Sequence, residues 1–275
     1  MKRTAVLLAP ALLAIAGAQS LLTYSSPNGD VILSARALRM DNLDQGVRRF
    51  TLRRDVTASS KSQGLTLRAQ RAILTTQPDP RDSRRTTIRS GEAEGAVQMA
   101  LNQATANLSA TSLIASEQLR WIREGGSFRV VSPGKIEAVR NEAGGARVLS
   151  MTGASGSARV DEKAVAGRTP LESLDMEGSV RINVLERATQ EGKKDSQFSA
   201  TGDRLAYRRT ADGATATLSG NVRVTGTGEA QMELQNVRVL TILLTAAGEF
   251  AGFEVPESEE AGTAVFGNLG TGGRG

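Results

Sequence analysis

There is no cysteine and no histidine among the 275 residues, and aromatic side chains make up only 3%. Without cysteine there is no disulfide framework and no thiolate metal site, so core packing and backbone hydrogen bonds must hold the fold. Without histidine the commonest metal ligand and general base are missing, and most hydrolytic constellations cannot be assembled. The expectation is a protein that is not an enzyme, with no catalytic residue, no metal ligand and no cofactor. The chain is long enough to bury a sizeable core. With so few aromatics that interior is lined by small and β-branched side chains, and is thin or open.

One long apolar run is present, at the N-terminus. Lys2 and Arg3 precede Ala5 to Ala18, which Pro10 interrupts and Ala16-Gly17-Ala18 ends. The run falls short of the roughly 18 apolar residues that a spanning helix needs. A basic start, a short apolar middle and an A-x-A-like end describe a secretory signal peptide over residues 1–18, cleaved between Ala18 and Gln19. A retained N-terminal anchor is the alternative. Cleavage removes Lys2 and Arg3 and lowers the formal charge of +5 by two.

Beyond that point the pattern has a period of two. In Phe198 to Thr225, FSATGDRLAYRRTADGATATLSGNVRVT, Leu205 and Tyr207 alternate with Arg204, Ala206 and Arg208, and Leu218, Val222 and Val224 alternate with Ser219, Asn221, Arg223 and Thr225. This is the period of strands with one dry face. Asp212-Gly213 between the two runs marks a tight hairpin turn, because both positions tolerate positive φ. The second strand of the unit, with a small residue or glycine two places before a β-branched one, recurs along the chain. Its copies are RRDVTA with Val56, GAVQM with Val97, GKIEAV with Ile136, GSVRIN with Val180 and GNVRVT with Val222, at spacings of 41, 39, 44 and 42 residues. A repeat near forty signals a solenoid, propeller or array. Even spacing of hairpins in any all-β chain is the plainer source. Ala110 to Arg123 fits a helix through Leu113, Glu117 and Arg120 and a strand through Leu119 and Trp121; register with the repeat makes it a strand.

Loops are expected at Asn28-Gly29, at Thr75 to Thr86 with its Pro78 and Pro80, at Asn141 to Ala146 and at Leu185 to Gln197. None separates domains, so residues 19–255 read as one unit, followed by a Gly-rich disordered tail over 256–275. Gly270, Gly272 and Gly275 match a dinucleotide-binding spacing but end the chain instead of opening a helix. Glu254, Glu257, Glu259 and Glu260 flank Pro256 as a solvated run. Asn107-Leu108-Ser109 matches a glycosylation sequon that nothing else supports. Arginines cluster at Arg48, Arg49, Arg53 and Arg54, at Arg81, Arg84 and Arg85, and at Arg204, Arg208 and Arg209. They suit the phosphates of an anionic lipid or nucleic acid, but the scarcity of stacking aromatics and the export signal argue against nucleic acid. Their plain reading is the polar outer face of a sheet and a guard on its edges.

The segment from Phe198 to Thr225, with its A-x-G-D-R-L-x-Y strand, turn and L-S-G-N-V-R-V strand, resembles the OstA-like repeat of the periplasmic lipopolysaccharide-transport proteins (the LptA/LptC family). The match covers about 28 residues, with weaker copies from Val31 to Val255. The resemblance implies an antiparallel OstA-like β-jellyroll, folded like a half-open taco, in the periplasm. Its apolar groove would hold acyl chains of an envelope lipid, and its end edges would stack on other OstA-like jellyrolls or on further copies of itself. No catalytic residue is implied. The chain is longer than single-module members, and copies such as RRDVTA lack the G-N-V core.

Two functions follow as expectations. One is a module that carries lipopolysaccharide or a related envelope lipid towards the outer membrane. The other is a structural β-solenoid or cell-envelope surface protein whose same faces pack into a filled core. Parity assigns Leu205, Tyr207, Leu218, Val222 and Val224 to the groove, with Val180, Ile182, Val97 and Met99 from neighbouring copies, since a one-residue slip would turn Asn221 and Arg223 inward. Val237 to Leu244 (VRVLTILL) is strongly β-prone and reads either as an unguarded edge strand or as a central strand buried on both faces.

Overall fold

Alternation of apolar and polar residues becomes strand over most of the chain. The computed structural model describes residues 20–80, 82–105, 108–142, 146–162, 171–188, 194–228, 232–246, 250–256 and 263–266. The expected signal peptide, Asn107 and the Gly270 to Gly275 spacing lie outside them. In chain order the strands are β1 (Leu22–Ser25), β2 (Val31–Ala35), β3 (Ala37–Asn42), β4 (Arg48–Ser60), β5 (Leu65–Asp79) and β6 (Asp82–Thr105). There follow β7 (Leu108–Glu124), β8 (Ser127–Ser132), β9 (Ile136–Glu142), β10 (Arg147–Gly153), β11 (Ser155–Asp161) and β12 (Leu171–Glu186). The last are β13 (Ser196–Arg209), β14 (Gly213–Thr227), β15 (Met232–Thr245), β16 (Phe250–Glu254) and β17 (Thr263–Phe266). All their pairings are antiparallel, so the fold is all-β; most link neighbours along the chain, and β2–β4, β7–β9, β8–β11, β10–β12 and β15–β17 skip one or two strands. The hairpin expected at Asp212-Gly213 is present, with the Thr210 N–H donating to the Gly213 carbonyl at 2.8 Å between β13 and β14, but neither Asp212 nor Gly213 has positive φ and Gly213 is already the first residue of β14.

The repeat has a definite structural cause. Arg54-Asp55, Gly95-Ala96, Gly178-Ser179 and Gly220-Asn221 all have positive φ at both residues, between 47° and 78°. Each pair faces a single residue on the next strand: Gln70, Glu117, Asp203 and Arg238 in turn. Two residues against one is a β-bulge, which bends the strand and sharpens its twist. The residue after each pair is Val56, Val97, Val180 or Val222, the β-branched residue that defines the repeat. Glycine comes first in three pairs because left-handed backbone costs other residues about 1–2 kcal/mol. In the remaining copy, at Ile136, the chain breaks outright between β8 and β9 instead of bulging.

Because the bulges of β4, β6, β12 and β14 and the break between β8 and β9 stand at matching places in the register, they form one crease, and each long strand is divided between two layers. The first layer holds β3, the Arg48 half of β4, the far half of β5, the near half of β6, and so on to β16. The second holds β2, the Val56 half of β4 and their counterparts to β17. β2 with β3, β8 with β9, β10 with β11, and β16 with β17 are the two halves of single bent strands, joined to the same neighbours. One apolar cluster from Val31 to Ile242 lies between the layers.

Several expectations change. Thr75 to Thr86 is not a loop: β5 runs to Asp79 and Pro78 pairs with Thr86, because the long hairpin carries strand past Pro78 and leaves only Pro80 at the turn. Ala110 to Arg123 lies in β7, as its register with the repeat predicts. Val237 to Leu244 lies in β15, which is paired to β14 on one side and to β16 and β17 on the other, so it is not an edge strand, but it is buried on one face only, with Arg238 exposed on the other. Thr263–Phe266 forms a strand on that same β15 within the stretch read as disordered tail; a short β-prone segment finds an open ladder there. No helix among the described residues is long and apolar enough to cross a membrane.

Candidate functional site

The register sorts the inward-facing side chains into rows parallel to the crease. In the second layer the row next to the crease runs through Val97, Ser116, Ile136 and Gly153, and through Val222 and Val237 further on. The next row joins Leu33, Ala58, Leu67, Met99, Ile114, Ala138, Met151, Ile182, Ala200, Val224 and Leu234. In the first layer Gly156, Met176, Leu205, Leu218 and Leu240 share a row, and Leu174, Tyr207, Ala216, Ile242 and Phe253 the next. No charged residue interrupts these rows. Leu205, Tyr207, Leu218, Val222, Val224, Val180, Ile182, Val97 and Met99 therefore all face the space between the layers, none more than 7% exposed. Asn221 and Arg223 are exposed on the outside.

Trp121, the only tryptophan, sits in the same interior against Gly91, where an added Cβ would lie 2.2 Å from the indole Cζ2. Its Nε1–H is buried and donates to no acceptor among the described residues. A buried indole donor ordinarily finds a partner.

Charge appears only towards the open rims. Arg123 and Arg209, at inward positions near the ends of β7 and β13, have side chains only 10% and 9% exposed. Arg123 pairs with Glu162, which holds its guanidinium more basic than usual. Arg209 donates to Asp161 at 2.7 Å, Ser127 donates to Glu172 at 2.6 Å, and Arg159 pairs with Glu172 at 2.7 Å. Burial alone would raise the Asp161 carboxyl, but its hydrogen bonding with Glu172, Arg209 and Ser127 outweighs burial and holds it below the usual carboxylate range. Arg209 is thus a correction to its reading as outer-face charge: it follows Leu205 and Tyr207 at inward parity, and the carboxylates make its burial tolerable.

A depressed carboxyl stabilises the fold above its unfolded pKa and loses that contribution as pH falls through the folded value. The melting temperature should therefore hold steady above about pH 5 and drop below about pH 4. Asp161→Asn should melt lower at neutral pH and lose less on acidification. Differential scanning fluorimetry across pH, with equal losses in both proteins, would refute a role for this network.

At the other end of the molecule the two layers are clasped together. The Gln63 amide, in the turn between β4 and β5, donates from Nε2 to the Ile88 carbonyl and accepts the Ile88 N–H at Oε1, both at 3.0 Å. Beside it Asp30 accepts from the Ser62 N–H at 2.7 Å and from the Ser62 hydroxyl at 2.6 Å. No sequence signal marks Gln63, since its partner is backbone on another layer. A polar hollow of about 530 Å3 opens here between Asp30, Lys61 and Ser62 on one rim and Asp82, Arg84 and Arg85 on the other. Another, of about 340 Å3, follows the outside of the crease past Ser179, Asp203, Asn221 and Asn236. Among the described residues no group of three or more acidic side chains is placed to hold a metal ion. Compared with known proteins, the chain matches no family model, no curated protein and no solved structure.

Proposed function

We propose that this protein is a lipid-binding transport module. It would hold acyl chains of lipopolysaccharide or a related envelope lipid between the two layers of its bent sheet, in the periplasm. The carrying observation is the apolar interior, uninterrupted by charge from β2 to β15 and edged by arginines at its rims. That is the polarity pattern of an amphiphile. Chains gain about 0.8 kcal/mol per buried CH2, so about 10 kcal/mol for twelve methylenes, and need no specific polar contact. The Trp121 Nε1–H offers one donor inside for an ester carbonyl. The crease is also what the OstA-like resemblance of Phe198 to Thr225 implies as a β-jellyroll. Among the described residues β3 pairs only with β4, and β16 and β17 only with β15, so both ends present ladders for other jellyrolls or further copies.

A filled-core structural protein is the second reading. It is favoured by the low exposure of the inward rows and by the polar lining of both hollows. Trp121 separates the two, being the only indole and facing the interior. Lipids brominated along their acyl chains should quench its fluorescence on binding, and unbrominated ones should not. Unquenched Trp121 at saturating lipid would overturn the carrier reading and leave the filled core.

A further inference from the structure

We infer that anionic amphiphiles enter the interior across the rim of the second layer between β9 and β13, with their chains over Leu149, Val184 and Phe198 and their head group at Arg140. This rests on the carrier reading and adds where the chains pass and what charge the head group carries. In the third inward row of the second layer, Val31, Ser60, Leu65 and Leu101 are all buried. The same row continues through Ser112 and Arg140 to Leu149, Val184 and Phe198 by direct register. There the three apolar side chains are only partly buried.

Residue type does not explain the difference, because Leu65 and Leu149 occupy equivalent positions. Closure does. The Gln63 clasp shuts the β4–β6 end. On the facing layer Phe128 is fully buried and the Arg123 and Arg209 ion pairs cover the rim. What stays accessible is an apolar strip three strands wide beside a half-buried guanidinium, which donates to the Ser112 hydroxyl at 3.3 Å. A guanidinium presents a planar fork to phosphate or carboxylate, so an anionic head group suits it and a neutral one gains only the apolar strip.

The absence of cysteine makes single-cysteine labelling of the full chain clean. Phe198→Cys and Val184→Cys should react with a maleimide several times faster than Leu101→Cys, or than Leu65→Cys if that variant does not fold. Lysophosphatidylglycerol below its micellar concentration should slow labelling at both, and glycerol phosphate should not. Arg140→Glu should weaken lysophosphatidylglycerol binding by about fivefold or more and leave lysophosphatidylcholine binding unchanged. Binding seen through Trp121 but with protection at Leu101 instead, or with no effect of Arg140→Glu, overturns the port and leaves the carrier reading standing. Protection by glycerol phosphate alone overturns the amphiphile. No binding of either lipid overturns both.

Discussion

Val222→Asn is expected to cost about 3–5 kcal/mol of stability, while Arg223→Asn, one residue away, should change it by less than about 0.5 kcal/mol. The introduced side chain and strand are the same, and the two positions lie on opposite faces. Val222 is fully buried between the layers and its neighbours across the strands are apolar. An amide there loses roughly 2 kcal/mol of apolar burial and leaves polar atoms without partners, at about 1–3 kcal/mol more. Arg223 lies exposed on the outside, where Asn keeps its contact with water. Urea unfolding followed by circular dichroism measures both, and equal losses would mean that the interior is not where parity puts it. A change of 3–5 kcal/mol is a large share of the 5–15 kcal/mol typical of a folded domain.

The second large effect belongs to the crease. Gly220→Val should destabilise by about 3–5 kcal/mol, through a β-branched residue held at positive φ and a side chain forced onto its neighbour. At φ +76° an added Cβ would lie 2.3 Å from the Asp203 Oδ2 and 2.8 Å from its Cβ. Gly134 stands at the same place in the repeat, two residues before Ile136, yet it has no positive φ and nothing within 4 Å of an added Cβ. Gly134→Val should stay within about 0.5 kcal/mol of the parent, as surface changes away from special backbone do. The expected split therefore tests whether the repeat is a bending device. Equal tolerance at both glycines would reduce it to even spacing. Because the bulge also keeps the layers closed, the folded fraction of Gly220→Val should bind more of a hydrophobic dye.

Much of this architecture was readable from the linear chain because strand patterning is local. A period of two assigns each side chain to a face wherever one face is dry, and that placed Leu205, Tyr207, Leu218, Val222 and Val224 inward without any coordinates. Asp212-Gly213 marked the place of its turn, though neither residue takes the positive φ on which that reading rests. The spacing of Val56, Val97, Ile136, Val180 and Val222 showed that a unit repeats, and Gly95, Gly178 and Gly220 already carried the conformational freedom that the crease uses.

What the linear pattern could not contain is whatever depends on two distant strands lying side by side. The bulges align into a crease only because each pair of left-handed residues faces a single residue on the next strand, and that register is a property of the assembled sheet. Gln63 looks like any surface glutamine until folding brings Ile88 within reach of its amide. Arg209 reads as one more exterior arginine until Asp161, 48 positions away, makes its burial tolerable. Pro78 looks like a loop residue until the length of the β5–β6 hairpin carries strand beyond it. Face and turn are decided within a few bonds, whereas closure, ion pairing and the unequal exposure of the inner rows are decided between the layers.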